Sequence, residues 1–246
     1  MANDWQPQAG DESGNAAERR RDAGYFDKWL RGRVLDIGCG AATVVPDARP
    51  WDIARGDGDA TELAGVDAET FDCVYASHVL EHLPEPRRAI VRWWQCVAPG
   101  GVLFVAVPDE DLYEQHVWPS IFNPDHKASW TAYKAPGLRA PQTLCLTDML
   151  TLLDNGRLEL LQRCDWGYDA SKRGQDQRTA ERQIEMVVRK VLPQRWRSSL
   201  VSRAQCPCGN ARLTFEGYAA GKRALLQCPD CGQTSFVTAP WDKETR

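Results

Sequence analysis

The stretch Val34-Leu-Asp-Ile-Gly-Cys-Gly40 constrains the fold more than any other part of the chain. Its apolar positions read as a buried strand, and the run breaks at glycines 38 and 40. A strand end built this way bares its backbone to something that must come close, because no Cβ intervenes. The strand has partners further on. "FDCVYAS" (71–77) and "VLFVAVP" (102–108) are also strand-like, with a helical pattern over 84–98 and a Pro-Gly-Gly turn at 99–101 between them. Strands separated by helical segments imply crossover connections, hence a parallel sheet and an α/β class. In open sheets of this kind ligands sit beyond the carboxyl ends of the strands.

The remaining elements follow the same logic. Tyr25, Phe26 and Trp29 fall at helical spacing before Gly32, which predicts a short amphipathic helix. Residues 146–156 read as a helix, and 157–169 and 182–191 as two strands of a hairpin with a long connection. The first 17 residues are polar and Gly-rich, so the expected organisation begins with a mobile segment, 1–23, followed by a main domain, 24–200, and an appendage, 201–246. Residues 109–141 lack periodicity, and a loop that long is usually functional or a lid. The net charge of -4 argues against wholesale binding of nucleic acid, and the polar start "MANDWQPQAGDESGN" has no export-type apolar segment, so a cytoplasmic location with no membrane span is expected. Five single cysteines (Cys39, Cys73, Cys96, Cys145 and Cys164) are then read as free thiols.

Taken in order, these motifs resemble class I S-adenosylmethionine-dependent methyltransferases. "VLDIGCG" is similar to that family's first motif, and "WDI" follows with Asp52 where the family's second strand ends in an acid. "GDGDATEL" offers Asp59 and Ala60, "FDCVYASHVLEHL" (71–83) matches a strand-and-turn motif, and "APGGVLFVAVP" completes the set. The resemblance covers about residues 24–192 and implies a Rossmann-like sheet and S-adenosylmethionine as methyl donor. It further implies that the cofactor lies along Asp36, Gly38, Cys39, Gly40, Asp52, Ile53, Asp59, Ala60, Ser77 and His78. A carboxylate such as Asp52 can accept from two ribose hydroxyls, and Asp59 from the adenine amine. The chain departs from the family in one place: "AATVVPDARP" (41–50) contains two prolines, so the helix after the first motif is short or missing.

A hydroxyl acceptor needs a base, and imidazole suits that work near neutrality. His126, in "NPDHK", is the favoured base with Asp125 or Asp109 as helper. His78 is the runner-up, and His82 has the alternative of packing structurally. The run 107–131 is similar to a bacterial subgroup that accompanies polysaccharide and lipopolysaccharide assembly. That similarity implies a sugar, glycan or other small-molecule hydroxyl as acceptor, with Trp118 and Trp130 suited to stacking on sugar rings.

At the C-terminal end two cysteine pairs, Cys206/Cys208 and Cys228/Cys231, flank a hairpin-like run. Four thiolates on two knuckles can enclose a structural Zn2+, so 201–246 is read as a zinc ribbon. Between Lys172 and Arg203 nine Lys/Arg face three Asp/Glu. This basic run supports a competing reading, an RNA- or ribosome-directed methyltransferase. A module that keeps the fold without catalysis is the third.

Overall fold

A computed structural model describes residues 12–172, 180–191, 206–209, 213–219 and 223–238. Its main sheet is built from β1 (Val34–Ile37), β2 (Arg49–Trp51), β3 (Phe71–Ser77), β4 (Val97–Pro108), β7 (Gly156–Cys164) and β8 (Gln183–Lys190), in the order β2-β1-β3-β4-β8-β7. The first four strands are parallel, while β8 runs antiparallel to both β4 and β7. Between β7 and β4, β5 (Ser129–Thr131) and β6 (Thr143–Cys145) form a separate parallel pair. The expected hairpin of late strands is thus the closing edge of a mixed sheet.

Side-chain alternation divides the sheet into two apolar faces. Leu35, Val74, Leu103 and Val188 stand in register across four strands. They belong to a core that also takes Ala89, Ile90, Trp93 and Trp94 from helix α3, Pro86–Cys96. Proline opens that helix, where its missing N–H costs nothing. The opposite face carries Tyr75, Phe104 and Val187, covered by Tyr25, Trp29 and Leu30 around the short helix α2, Tyr25–Lys28.

Two expectations change. Residues 12–22 form helix α1 (Glu12–Asp22) within the stretch read as mobile. Arg20 is buried against Tyr75 and Phe104, and it shares the buried Glu185 of β8 with Arg19, at 2.8 and 2.6 Å. Burial works against ionising Glu185, but these two guanidinium groups hold its carboxyl below the usual range. The N-terminal helix therefore adds to the layer over this face, to which Val44 and Ala48 of the short β1–β2 connection, 38–48, also contribute. The segment 146–156, expected as a helix, is a tight 3-10 helix over Leu146–Leu152.

Beyond residue 205 a second sheet has the order β11-β10-β9, with β9 (Thr214–Ala219), β10 (Arg223–Gln227) and β11 (Thr234–Thr238) antiparallel. The domain boundary near residue 200 falls outside the described residues.

Candidate active site

The carboxyl ends of β1, β2 and β3 bring the expected donor-binding residues to one edge. Asp36 is buried in β1 and accepts a hydrogen bond from the Val44 amide at 2.5 Å. Burial pushes its carboxyl up to about 7, against the pull of the Val44 amide and the Arg20 guanidinium. A buried acid titrating near neutrality is typical of functional sites, where environment and task are matched.

The two glycines do different work. Gly38 has φ +73°, and a Cβ there would collide with the Val79 side chain. It is glycine because the loop packs on the segment after β3. Gly40 also has a positive φ, but a Cβ on it would meet nothing within 4 Å, so its backbone borders open space. The Asp52 carboxylate braces this loop, accepting from the Gly40 amide at 2.9 Å and the Ala54 amide at 2.8 Å. Ile53 beside it is 79% exposed, an apolar side chain left bare at a polar edge. Burial and the nearby Asp36 push the Cys39 thiol up. Asp59 accepts from the Thr61 amide at 2.7 Å, and Ala60 is tied by its carbonyl to the Trp93 indole.

After Ser77, which is buried at the end of β3, the chain turns sharply. His78 has φ +56°, a region non-glycine residues enter at a cost. The surroundings impose it: His78 Nε2 lies 2.8 Å from Gln183 Oε1, its amide bonds Ala106 O, and its Nδ1 is 3.3 Å from Glu81 Oε1. A 3-10 turn over Leu80–His82 follows.

His126 arrives from the irregular segment and lies near this turn, its ring 5.0 Å from that of His82. The carboxylate beside His126 is not Asp125 or Asp109. Its Nδ1 donates to Glu114 Oε1 at 2.6 Å, because a buried π-turn at Glu110–Glu114 reaches it first. Asp125 is exposed, and Asp109 caps that turn through the Asp111 and Leu112 amides. Trp130 is fully buried in the core and has no face for a sugar; Trp118 is half-buried. Glu81 and Glu114 were not singled out from sequence. Glu81 sits in the quoted "SHVLEHL" run, where its apolar surroundings were the available signal. Glu114 pairs only through tertiary folding.

Near this turn a cavity of about 510 Å³ is lined by Leu83, Arg87, Arg88, Lys127, Pro141 and Leu144 among others. Of the basic run 172–203, the described cations are engaged elsewhere. Lys172 bonds Asp169, Arg189 bonds Glu159, Lys190 bonds the Trp94 and Val97 carbonyls, and Arg182 is buried over Tyr113.

Residues 15–136 match the family model described as a methyltransferase domain. This is a class I S-adenosylmethionine-dependent methyltransferase domain, the domain of an enzyme. A curated relative of the methyltransferase domain is the trans-aconitate 2-methyltransferase of Deinococcus radiodurans, 39% identical over 59 residues. That match covers 24% of this chain and 21% of the relative, so the chain spans about a fifth of its length. Among solved structures, an S-adenosylmethionine-dependent methyltransferase from Archaeoglobus fulgidus is 19% identical, covering 74% of this chain and 95% of that one with a TM-score of 0.47. One from Mesorhizobium loti is 14% identical, covering 73% and 98%, with a TM-score of 0.46.

In the C-terminal sheet the four cysteines converge. Cys206 and Cys231 sulfurs are 3.5 Å apart, Cys208 and Cys228 sulfurs 3.7 Å, and all four lie within 4.8 Å of one another. Gly209 and Gly232 have positive φ and close turns onto the Cys206 and Cys228 carbonyls. Amide hydrogen bonds, that of Cys231 foremost, push the Cys228 thiol down to about 7. Among the described residues no helix is long and apolar enough to cross a membrane.

Proposed function

We propose that the chain transfers the methyl group of S-adenosylmethionine to an oxygen of a small molecule, a sugar or glycan hydroxyl being the leading class. The observation that carries this is the edge of β1 and β2: the open backbone at Gly40, the buried Asp36 and the bare Ile53 stand together in a methyltransferase domain. The fit to the donor is chemical. Asp36, ionised, suits a ligand ammonium; Asp52 has lone pairs beyond its two loop bonds for ribose hydroxyls; Ile53 offers apolar cover to a base. Asp59 and Ala60 continue that edge, and Ser77 and His78 bound it on the other side.

When bound, the donor supplies a methyl group on a sulfonium, which leaves as a neutral thioether while the new oxygen–carbon bond forms and the acceptor's proton departs. The chain's own part is to orient the two reactants, which in such displacements supplies much of the acceleration. It also receives the proton, for which the histidines after β3 and at 126 are the candidates. The cavity has the size of small-molecule sites, and Arg87 and Lys127 on its wall favour an acidic acceptor, Arg88 being paired with Glu62 and Glu85. The relative's printed substrate, trans-aconitate, is also an acid. The four described cations of 172–203 are engaged within the chain and lend the nucleic-acid reading no support.

The thiol cluster fits zinc. Tetrahedral sulfurs about 2.3 Å from an ion are about 3.8 Å apart, close to the spacings seen. We assign Zn2+ to Cys206, Cys208, Cys228 and Cys231 as a closed, structural site of a ribbon.

Calorimetry with S-adenosylhomocysteine tests the donor site, and transfer of labelled methyl groups onto pooled sugars, organic acids and RNA tests the acceptor. Micromolar binding and labelling of the small molecules alone are expected. Absence of binding, or label on RNA alone, refutes the reading.

A further inference from the structure

The turn after β3 contains a buried carboxyl group that the methyl-transfer scheme does not use. Glu81 is fully buried, and neither carboxylate oxygen has a hydrogen-bond partner. Burying an ionised carboxylate without compensation costs several kcal/mol. The basic groups facing it are imidazoles: His78 Nδ1 at 3.3 Å and His82 Nε2 at 3.9 Å from Oε1. Among the described residues no lysine or arginine pairs with it. The irregular segment adds a third imidazole, since ligand atoms of Glu81, His82 and His126 lie within 4.8 Å of one another.

The His126 side chain is only 2% exposed. With Nδ1 on Glu114, Nε2 is the ring nitrogen left to ligate. That is how metal-binding histidines are usually held, with the far nitrogen on a carboxylate that sets tautomer and orientation. Glu114 is itself buried, which leaves it no simpler surface role.

We propose that Glu81, His82 and His126 bind one divalent transition-metal cation, with Glu114 as a positioning residue. Two imidazoles and one carboxylate make a borderline nitrogen–oxygen donor set. A closing shift on the order of 1 Å brings these donors to the spacing that ligand bonds of about 2.1 Å require. The cation neutralises Glu81, which explains why a carboxylate is tolerated there. Three protein ligands leave positions open, as catalytic sites do and structural ones do not. His82, whose side chain is 34% exposed, marks the accessible side. The residues following His82 and His126, Leu83 and Lys127, both line the 510 Å³ cavity.

The site's use rests on the methyl-transfer reading. An acceptor oxygen taking an open position loses its proton more readily, because the ion's charge lowers that proton's pKa. The proton goes to solvent, the oxygen lone pair forms the bond to the methyl carbon, and the carbon–sulfur pair leaves with sulfur. In this arrangement His126 is a ligand and not the base.

The test is Mn2+ binding to the full chain, followed by loss of the free-ion paramagnetic resonance signal. Thiolates serve Mn2+ poorly, so the cysteine cluster does not contribute. One Mn2+ per chain is expected for the wild type and for Cys228→Ser. Binding should weaken at least tenfold in Glu81→Gln and His82→Ala, and about 10–100-fold in Glu114→Gln. S-adenosylhomocysteine affinity reports whether each variant is folded, and His82, half-exposed, is the variant safest for folding. A wild type that binds no Mn2+ and carries no second metal equivalent by elemental analysis overturns the site, as does equal binding in all variants. Donor binding without metal binding defeats this proposal alone. Metal binding without donor binding defeats the methyl-transfer reading alone.

Discussion

In the proposed donor site, Asp36 should couple donor binding to pH. Its carboxyl is pushed up to about 7 by burial, so the free protein holds a proton there at mildly acid pH. The sign follows from linkage: a folded-state pKa above the ordinary 3.8 means that the folded chain binds this proton more tightly than the unfolded one. Asp36 therefore costs stability progressively as pH rises from about 4 to about 7, and no more beyond that. At about 1.36 kcal/mol per pH unit the full cost is about 4 kcal/mol. A ligand ammonium reverses the preference, because it favours the ionised form. Binding of S-adenosylhomocysteine should then release about 0.9 proton at pH 6, about 0.5 at pH 7 and about 0.1 at pH 8. Its Kd should tighten nearly tenfold between pH 5 and 6, then level above 7. Calorimetry in two buffers of different ionisation enthalpy reads the released protons directly. In Asp36→Asn the dependence should flatten and affinity above pH 7 should fall. The variant should gain stability relative to wild type at pH 8, since Asn can still accept from the Val44 amide. A flat wild-type profile between pH 5.5 and 8, or an unchanged one in Asp36→Asn, refutes the reasoning.

Gly40→Ala meets nothing within 4 Å at its Cβ, though its φ of +55° should cost some thermal stability, and it should bind S-adenosylhomocysteine more weakly by calorimetry; Gly38→Val should lose more stability, through Val79 as well as its own positive φ. Glu185→Ala leaves Arg20 as an unpaired buried charge and should cost about 3–5 kcal/mol in urea unfolding. Cys228→Ser should lose the zinc equivalent by elemental analysis and expose residues 206–238 to protease, while donor binding persists, because no cysteine of the quartet belongs to the donor motifs.

Much of the fold was legible in the sequence because local patterns carried it. Strand-length apolar runs at 71–77 and 102–108, the helical pattern over 84–98 and the prolines within 41–50 each act locally in the chain, so β3, the core of β4, α3 and the short β1–β2 connection could be read directly. The loop proposed to hold the donor was legible for the same reason: Asp36, Gly38 and Gly40 lie within five residues of one another. Tertiary structure decided the rest. The polar N-terminal stretch was read as mobile because what holds residues 12–22 in place is Glu181 and Glu185, which pair with Arg19 from more than 160 residues away. Gly38 looked like a ligand contact, but the Val79 side chain is what excludes a Cβ. Trp130 looked like a sugar platform until folding enclosed it. His126 was read as a candidate base with Asp125 or Asp109 as helper, but the carboxylate on it is Glu114 and its neighbours are His82 and Glu81. These groups meet only because the segment after β4 folds back onto the turn after β3, and a buried charge finds its compensation in space, not along the chain.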